Sequence, residues 1–557
     1  MGTATPVAAP HLDSISIAEA GDDINVAQET QELQPETVEF GPKRSRVRIF
    51  AIMAGLCAAV FIPALNQTVV GTAIPTISAD LNSSTGYAWI SAAHLLANAI
   101  ASPIWSKCSD IWGRKVILLS ALVLYFMYSI ICAMATSMEM LIIGRAFQGT
   151  AGGGLIQIVY AVISDIFSMR ERTLYLGLLQ LVWATAGGLG PLIGGIFAEY
   201  VSWRWVFWIN LPIAFVVFVL LFTFLDVHNP KTGIVQGIQA VDWLGILTLA
   251  AFMICLLLGL NFGGELAPWN SPLVICLLVF GIAMIPVFFF CESKARYPLV
   301  PFDLFKAASN VAVLVIGFMH DLTVFAVEFF LPLYFQSVKN ASPLESGYRI
   351  IPVTLMQALV GIATGLIVHR TGRYLDVIWV GVALLTLGNG LYINLSVSSS
   401  LGSIIAFQIV AATGAGLLFQ PPLIALQAMV PPSKTASATA TLGLVRSLST
   451  SVAIVLGQVI FANGMQSRQS SLLEQGLPQS LVERFSGSQA AAHTLIVGDI
   501  EDLGFRTAIK GAFADSLRGV WILCTCSAAC AIIASAFVSK QILSKEHVEH
   551  RTGLNNM

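Results

Sequence analysis

Charge is scarce in this sequence. Asp, Glu, Lys and Arg make up 11% of its 557 residues, whereas soluble domains carry roughly 25%. Hydrophobic residues make up 56% of the chain, and the mean hydropathy is +0.79. A chain with so little charge cannot cover a soluble surface, so the composition predicts an integral membrane protein. The formal net charge of -2 also argues against a nucleic-acid partner.

Cysteine patterns that would mark a disulfide framework or a metal site are missing as well. The nine cysteines are scattered and lie mostly within apolar runs, which is not typical of a disulfide scaffold or of zinc-ligand spacing. Cys524, Cys526 and Cys530 cluster late in the chain, but no histidine or carboxylate stands near enough in the sequence to complete a metal site. We expect packing roles for them, and neither a metal nor a cofactor.

Signatures of other membrane functions are absent too. The sequence has no G-x-x-x-x-G-K-[ST] loop and no soluble segment large enough for an ATPase, which excludes a primary pump. The ionisable residues within apolar runs are spread without a nucleophile and base pattern, so we do not expect an enzyme. A channel would need a selectivity filter or rings of charge that the sequence lacks.

The chain begins with a polar, acidic segment. Residues 1–42 have neither a basic start nor an early apolar core, so they do not resemble a signal peptide. Their composition predicts a disordered cytosolic tail. Four basic residues follow just before the first apolar run: Lys43, Arg44, Arg46 and Arg48.

Fourteen apolar runs come next, each close to the roughly 20 residues that a membrane helix needs. They are too long for β-strands and lack the alternation of a barrel. The predicted fold class is therefore an all-α integral membrane protein with fourteen transmembrane helices in the lipid bilayer. The runs lie near residues 49–74, 87–106, 116–136, 140–163, 174–198, 204–225, 242–262, 272–291, 311–335, 349–368, 375–395, 401–430, 436–462 and 519–539.

Basic residues are concentrated in every second loop, and the positive-inside rule places those loops and both termini in the cytosol. The long segment 463–516 is then expected on the other side of the membrane. Three N-x-[ST] sequons fall on that side, which predicts possible glycosylation. Their asparagines are Asn82, Asn340 and Asn394.

Two cytosolic loops repeat one another. "SKCSDIWGR" at 106–114 and "GLIVHRTGR" at 365–373 both end in Gly and Arg, which maps spans one to six onto spans nine to fourteen. Two such halves, with the site between them, are typical of a transporter. The predicted divisions are a tail (1–42), a first six-helix half (43–226), a two-helix insert with linkers (227–300), a second half (301–540) and a cytosolic tail (541–557).

Several motifs in order resemble the major facilitator superfamily, specifically its fourteen-span drug:proton antiporter group and a fungal toxin and multidrug efflux branch. The resemblance covers about residues 48–540. Ser106–Lys115 is similar to the loop signature G-x-L-x-D-x-x-G-R-K, with Ser106 in place of Gly and Cys108 in place of Leu. The other matching stretches are "GRAFQGTAGGG" (144–154), "GLGPLIGG" (188–195), "WRWVFWINLP" (203–212), "VDWLG" (241–245) and "TATLGLVRSLSTSVAIVLGQVIF" in the thirteenth span.

The resemblance implies roles for particular residues. A cytosolic latch would comprise Asp110, Gly113, Arg114 and Lys115, and Asp110 can pair with Arg114 at the start of the third span. The antiporter motif, which the family links to export, would comprise Gly190, Pro191, Gly194 and Gly195; close helix packing is the alternative role of its glycines. Arg145 lies inside the fourth span, near Gln148, and the resemblance makes this arginine part of the proton-coupling machinery; the alternative is an arginine that backbone carbonyls satisfy.

The first span departs from its relatives at one position. Where many of them carry L-D-x-T, this chain has Leu65-Asn66-Gln67-Thr68. An amide cannot titrate, so we expect Asn66 and Gln67 to bind substrate or hold the helix rather than carry a proton. His94 and Gln148 join them as candidate substrate-binding residues; a packing role is the alternative for His94.

A different group must carry the proton if coupling persists. The ninth span, the repeat partner of the first, offers His320, Asp321 and Glu328. Asp321 and Glu328 are seven residues apart and therefore lie on one helical face, and burial favours the neutral, protonated form of a carboxyl group. Arg446 in the thirteenth span is the second intramembrane cation. We expect Arg145, Asp321, Glu328 and Arg446 to couple transport to protons.

The sequence favours secondary active export of a small organic compound, such as a toxin, drug or secondary metabolite, by proton antiport and alternating access. The expected location is the cell membrane, and the expected state is a monomer. A vacuolar amino-acid transporter, in the vacuolar membrane, and a non-transporting receptor on the same fold remain as alternatives.

Overall fold

The computed structural model describes residues 45–81, 86–230, 232–263 and 267–544. These ranges are helical almost throughout and hold fourteen long helices, which confirms the predicted fold class. The long helices are α1 (Arg46–Asp80), α2 (Gly86–Trp112), α3 (Arg114–Ala133), α4 (Met138–Ile166), α5 (Met169–Ile196), α6 (Asn210–Phe224), α7 (Trp243–Phe262), α8 (Pro272–Lys294), α9 (Ala308–Ser337), α10 (Pro343–Thr371), α11 (Leu375–Tyr392), α12 (Leu401–Leu418), α13 (Thr435–Ser467) and α14 (Leu503–Ser535).

Thirteen candidate membrane spans meet the length and hydropathy expected of a crossing helix. The remaining long helix is α2, whose 27 residues include His94, Asn98 and Lys107. These polar side chains lower its hydropathy, but His94 and Lys107 are buried within the protein. A polar residue in a span is tolerated where it faces the bundle, so α2 completes the fourteen.

Side-chain caps fix where many helices begin. The hydroxyl of Ser137 accepts a hydrogen bond from the Met140 amide at the start of α4. Ser168 with Glu171 forms a capping box at the start of α5, and Ser342 with Glu345 forms one at the start of α10. Such caps satisfy amides that a helix leaves unpaired at its first turn.

Helix packing in the first half recurs in the second. In the first half α2 packs on α4, α1 on α5, α3 on α4, and α6 on α1 and α3. In the second half α10 packs on α12, α9 on α13, α11 on α12, and α14 on α9 and α11. The contacts between halves, α5 with α10 and α2 with α13, are related in the same way. The sequence repeat therefore corresponds to a repeated three-dimensional arrangement of helices.

The apolar core is shared at one end of the bundle and divided at the other. At the end predicted to face the cytosol, one cluster joins residues of both halves, such as Leu118, Ile163 and Val368. At the opposite end each half has its own cluster, around Val69 in the first and Phe330 in the second. The halves thus close on the predicted cytosolic side and part on the other, an outward-facing arrangement.

Close contacts between α5 and α10 explain the closed end. The Thr173 hydroxyl donates to the Gly365 carbonyl across 3.0 Å. A ring nitrogen of His369 lies 3.0 Å from the Arg170 carbonyl, and the Arg170 side chain donates to the Leu543 carbonyl. His369 stands where the first copy of the loop motif has Asp110, and this copy joins the halves through hydrogen bonds to backbone carbonyls.

The segment between α13 and α14 is shorter than the sequence suggested. Because α14 begins at Leu503 rather than near 519, the connection spans 468–502 instead of 463–516. It contains short helices and buries Leu472, Val482 and Phe485 against the core of the second half. Polar residues at the start of α14, such as Arg506 and Lys510, lower the hydropathy of its first turns. Hydropathy therefore predicts a start for this helix that is too late in the chain.

The motif "WRWVFW" joins neighbouring segments at the end opposite the predicted cytosolic side. The Trp203 indole and the Arg204 guanidinium both donate to the Asp80 carboxylate, at 2.9 and 3.1 Å. Arg204 also stacks on Trp203 and donates to the Ala135 carbonyl. These donors, Trp203 first and then Arg204, lower the pKa of the Asp80 carboxyl group. The motif therefore joins the end of α1 to the segments before α4 and α6.

Gly149 lets α2 and α4 pack closely against each other, and this gives a testable prediction. An added Cβ would lie 2.2 Å from the His94 carbonyl oxygen, too close for any real contact. We expect Gly149→Ala to lower the free energy of unfolding by about 1–3 kcal/mol, as overpacking does. Reversible denaturant unfolding in detergent micelles would measure the change.

The matched control is Gly71→Ala in α1, where the added carbon meets no described atom within 4 Å. Alanine is preferred over glycine within helices by roughly 0.5–1 kcal/mol, so this variant should be as stable as the parent or more so. Equal loss of stability in both variants would show that α2 and α4 are not in close contact.

Candidate functional site

A buried ion-pair cluster occupies the predicted cytosolic end of the first half. The Arg114 guanidinium contacts the Asp110 carboxylate and donates to Asp165 across 2.7 Å and to the Ser109 hydroxyl across 2.6 Å. Arg114 and Asp110 are 2% and 3% exposed. One cation therefore joins the end of α2, the start of α3 and the end of α4.

Backbone geometry explains the glycine of this motif. Gly113 connects α2 to α3 with φ of 95°, a conformation that L side chains rarely adopt. An added Cβ would also lie 2.9 Å from the Pro230 ring. A glycine at this position lets the chain turn so that Arg114 points back toward Asp110.

Lys115 differs from its expected role in the latch. Its ammonium group donates to the Phe222 carbonyl across 2.8 Å and lies over the Phe222 ring. It thus caps the end of α6 instead of joining the carboxylates, as a lysine commonly does at a helix C-terminus. The residue that completes the cluster is Asp165, which the sequence analysis did not single out because it lies beyond the matched motif of α4.

The second buried cation is Arg145 on α4. Its side chain is 1% exposed. The guanidinium contacts the Asn66 side-chain oxygen and donates to the Gln148 side-chain oxygen across 2.7 Å and to the Ile90 carbonyl across 3.1 Å. It also lies over the Phe207 ring. The partners that hold this cation are neutral, in contrast to the two carboxylates around Arg114.

A chain of hydrogen bonds extends from Arg145 into α3. Gln148 donates to the Ser129 hydroxyl across 2.9 Å, and Ser129 donates to the Tyr125 carbonyl. Gln148 is fully buried, and so is His94, whose backbone lies against Gly149. Among the predicted substrate-binding residues, Asn66, His94 and Gln148 thus surround the α4 arginine in this conformation, while Gln67 is half-buried beside Asn66.

The first-span motif also meets the antiporter motif of α5. The Thr68 hydroxyl lies 3.0 Å from the Ala186 carbonyl, and a Cβ on Gly190 would collide with that hydroxyl. α5 is helical through Gly190–Gly195, and Gly194 is buried. A Cβ on Gly195 would meet no described atom within 4 Å. Gly190 therefore allows α1 and α5 to touch.

A third polar cluster lies in the second half, on α9 and α13. The His320 Nδ1 atom is 2.9 Å from the Asp321 carboxylate, and the Arg446 Nε atom is 3.7 Å from the same carboxylate oxygen. Arg446 donates to the Phe419 carbonyl across 2.8 Å and lies over the Phe419 ring. Tyr160 of α4 is close enough to interact electrostatically with Arg446 and Asp321.

Glu328 lies apart from that cluster. It is exposed together with Phe325 and Phe329 on one face of α9, and its carboxylate contacts Gln357 of α10. A carboxylate that faced lipid would be costly, so we place this face toward the space between the halves. Asp321 lies near enough to interact electrostatically with Glu328.

The structure thus groups the predicted site residues into separate places. Asp110 and Arg114 come together, Asn66 and Gln148 come together with Arg145, and Asp321 joins Arg446. The candidate glycosylation residues Asn340 and Asn394 are exposed at the end opposite the predicted cytosolic side, whereas Asn82 lies outside the described residues. A group of three or more metal-ligating side chains does not occur within the described ranges.

Comparison with known proteins gives consistent findings. The Major Facilitator Superfamily model matches residues 56–240 and 238–454. The chain is 40% identical over 513 residues to the "MFS-type transporter ppz2" of Metarhizium majus, covering 92% of this chain and 88% of that one. It is 40% identical over 507 residues to the "Efflux pump dotC" of Dothistroma septosporum, covering 91% and 87%.

A solved structure shares the fold at low sequence identity. The human organic anion transporter MFSD10 is 12% identical, with a TM-score of 0.55, and the match covers 86% of this chain and 99% of that one. At this identity the likeness concerns the arrangement of helices.

The neutral partners of Arg145 lead to a prediction about stability. Asn66→Leu removes an acceptor from a buried guanidinium, so we expect the free energy of unfolding in detergent to fall by about 1–3 kcal/mol. Asn66→Asp keeps an acceptor and should retain the fold. Gln67→Leu, at the adjacent half-buried amide, is the control and should change stability by less than Asn66→Leu. A loss after Gln67→Leu as large as after Asn66→Leu would contradict the assignment.

The Arg114 cluster gives a second prediction. Arg114→Ala leaves two enclosed carboxylates without their shared cation, and we expect about 3–5 kcal/mol of destabilisation, as when a buried pair is broken. Lys115→Ala removes a contact to one carbonyl at the bundle surface and should cost less than about 1 kcal/mol. Denaturant unfolding of both variants would test this, and a comparable loss in both would mean that the cluster does not support the fold.

Proposed function

The chain belongs to the Major Facilitator Superfamily, and we propose that it exports small organic compounds by proton antiport. It is a multi-pass membrane transporter for small molecules. The identity of 40% over nine-tenths of the chain to a protein named as an efflux pump supports export. Toxins, drugs and secondary metabolites are the proposed cargo.

One observation supports the coupling to protons above the others. The first-half site opposite Arg145 is an amide, whereas the repeat-related helix α9 carries two carboxyl groups within its membrane span. Asp321 lies beside Arg446, and Glu328 lies on an exposed face next to Gln357. A carboxyl group in such surroundings can change its charge during a cycle, and an asparagine cannot. We therefore assign proton coupling to Asp321 and Glu328, with Arg446 and Arg145 as the cations.

The closed cytosolic end supports a role for the Arg114 cluster in alternating access. In the outward-facing arrangement Asp110, Arg114 and Asp165 hold α2, α3 and α4 together at the end where the halves meet. Opening toward the cytosol requires α5 to part from α10 there. We propose that the cluster stabilises the outward-facing state and loosens when the cytosolic end opens.

Asn66 has a feature suited to substrate binding. Its side-chain oxygen is used by Arg145, but its amide nitrogen has no hydrogen-bond partner among the described residues. We propose that this donor, with Gln67, Gln148 and His94, recognises a hydrogen-bond acceptor on the substrate when α1 and α4 move. The glycines and proline of Gly190–Gly195 would support that movement in α5.

The location and assembly complete the proposal. We propose a monomer in the cell membrane, glycosylated at one or more of Asn82, Asn340 and Asn394. The alternatives are a vacuolar amino-acid transporter and a receptor without flux. A tagged protein would report the membrane in which it resides.

Transport into membrane vesicles with an imposed pH gradient tests the function. We expect drug-like or secondary-metabolite flux that follows the gradient, and no amino-acid flux. Glu328→Gln and Asp321→Asn should each lower gradient-driven flux by about tenfold or more, since proton-transfer groups commonly contribute about that much or more. Asn66→Ala should retain dependence on the gradient while weakening substrate affinity.

The outcomes separate the alternatives. Flux of amino acids alone would support the vacuolar function, and ligand binding without flux would support a receptor. Flux that ignores the pH gradient would overturn antiport. Loss of gradient coupling in Asn66→Ala, with both carboxyl variants fully active, would show that α1 and not α9 is the helix on which proton coupling depends.

A further inference from the structure

Both ring nitrogens of His320 face hydrogen-bond acceptors. The Nδ1 atom lies 2.9 Å from the Asp321 carboxylate, and the Nε2 atom lies 3.0 Å from the Ala415 backbone carbonyl. His320 is 2% exposed and Asp321 is 7% exposed. Water therefore has little access to either contact, and both must be satisfied by hydrogen atoms of the pair itself.

The number of hydrogen atoms follows from the chemistry of the two groups. A neutral imidazole has one N–H, and a carbonyl oxygen cannot donate. Two hydrogen bonds therefore need either an imidazolium beside a carboxylate or a neutral Nε2–H imidazole that accepts from a protonated Asp321. These two forms contain the same number of protons. Both hold one proton more than a neutral histidine beside a carboxylate.

We infer that the His320–Asp321 pair holds one exchangeable proton in this outward-facing arrangement, and that its loss is transmitted to α12. The inference rests on the proposed proton antiport and identifies where the transported proton is held. The proton belongs to the pair as a unit, because the two groups share it. His320 is thus a positioning residue that acts through Asp321.

The route to α12 is a break in that helix. α12 ends at Leu418, and a second short helix, Pro421–Ala428, continues after two residues. Pro421 and Pro422 have no N–H, so the carbonyls of Leu417 and Leu418 lose their usual helical partners and the helix is interrupted. Side chains occupy carbonyls at this break: His320 contacts that of Ala415, and Arg446 donates to that of Phe419.

Loss of the proton would disturb both contacts. A neutral His320 retains one N–H and can satisfy Asp321 or Ala415, but not both. The pair would also gain a net negative charge, which would attract Arg446, now 3.7 Å from the Asp321 carboxylate, and draw it from the Phe419 carbonyl. If the remaining N–H of His320 turns to Asp321, both side chains that hold the break are released, and α12 can change its bend.

α12 is connected to the rest of the proposed site. A Cβ on Gly416 would lie 2.8 Å from the Gln357 carbonyl of α10, and the Gln357 side chain contacts Glu328. A change in α12 would therefore reach the exposed carboxylate of α9. The other charged or titratable groups near the pair are Arg446 of α13, Tyr160 of α4 and Glu328 of α9.

Nitrogen NMR of the whole protein in micelles, with isotope-labelled histidine, tests where the proton lies. The chain has eight histidines, and the His320 signals are those lost in His320→Gln. We expect an Nε2 atom that carries hydrogen near neutral pH, and loss of one proton from the pair as pH rises. An Nε2 atom without hydrogen at every pH at which the protein is folded would overturn the inference.

Transport provides the second readout. His320→Leu removes both ring nitrogens and can neither share the proton with Asp321 nor donate to Ala415, so we expect proton movement per substrate to fall from about one toward zero. His493→Leu, in the segment between α13 and α14, is the matched control and should keep the parent ratio. An unchanged ratio in His320→Leu, with gradient-driven flux in the parent, would reject this inference alone. Absence of gradient-driven flux in the parent would instead reject the antiport proposal.

Discussion

The cost of a charge in the interior of a membrane bundle is the constraint on which this structure depends. A guanidinium at mid-bilayer without a partner costs roughly 3 kcal/mol or more, yet Arg114, Arg145 and Arg446 all lie within the protein. Each is held by contacts that join several helices: α2, α3 and α4 at Arg114, α1, α2 and α4 at Arg145, and α9, α13 and the residue after α12 at Arg446. The arginines therefore determine which helices must stay together.

The three arginines differ in the charge of their partners, and this difference separates their roles. Arg114 lies between two carboxylates and forms a cluster suited to stability. Arg145 is surrounded by neutral oxygens, so a pH change alone would leave its partners unchanged. Arg446 shares a carboxylate with a histidine, so its surroundings can change by one proton. The antiport proposal assigns the exchanged proton to this last site.

The two-fold repeat relates the helices that carry these sites. α9 is the repeat partner of α1, and α13 is the repeat partner of α5. The first half has an amide on α1, and the second half has acids on α9, so the halves share a framework but divide the chemistry. Small residues allow close helix packing at two places in the first half: Gly190 lets α5 touch α1, and Gly149 lets α4 touch α2. The two halves meet in the shared apolar cluster at the closed end.

The sequence by itself determined the number of spans, the repeat and the residue types available for chemistry, because a bilayer imposes helix length and makes each internal charge conspicuous. Asn66 and Gln67 stand out in their apolar run for that reason, as do Arg145 and Asp321. Tertiary structure alone decided the partners. Asp165 lies far along the chain from Arg114, Lys115 turns toward α6, and α14 begins earlier than its hydropathy suggests. The shared proton of His320 depends on the Ala415 carbonyl of another helix, and such a contact leaves no trace in local sequence.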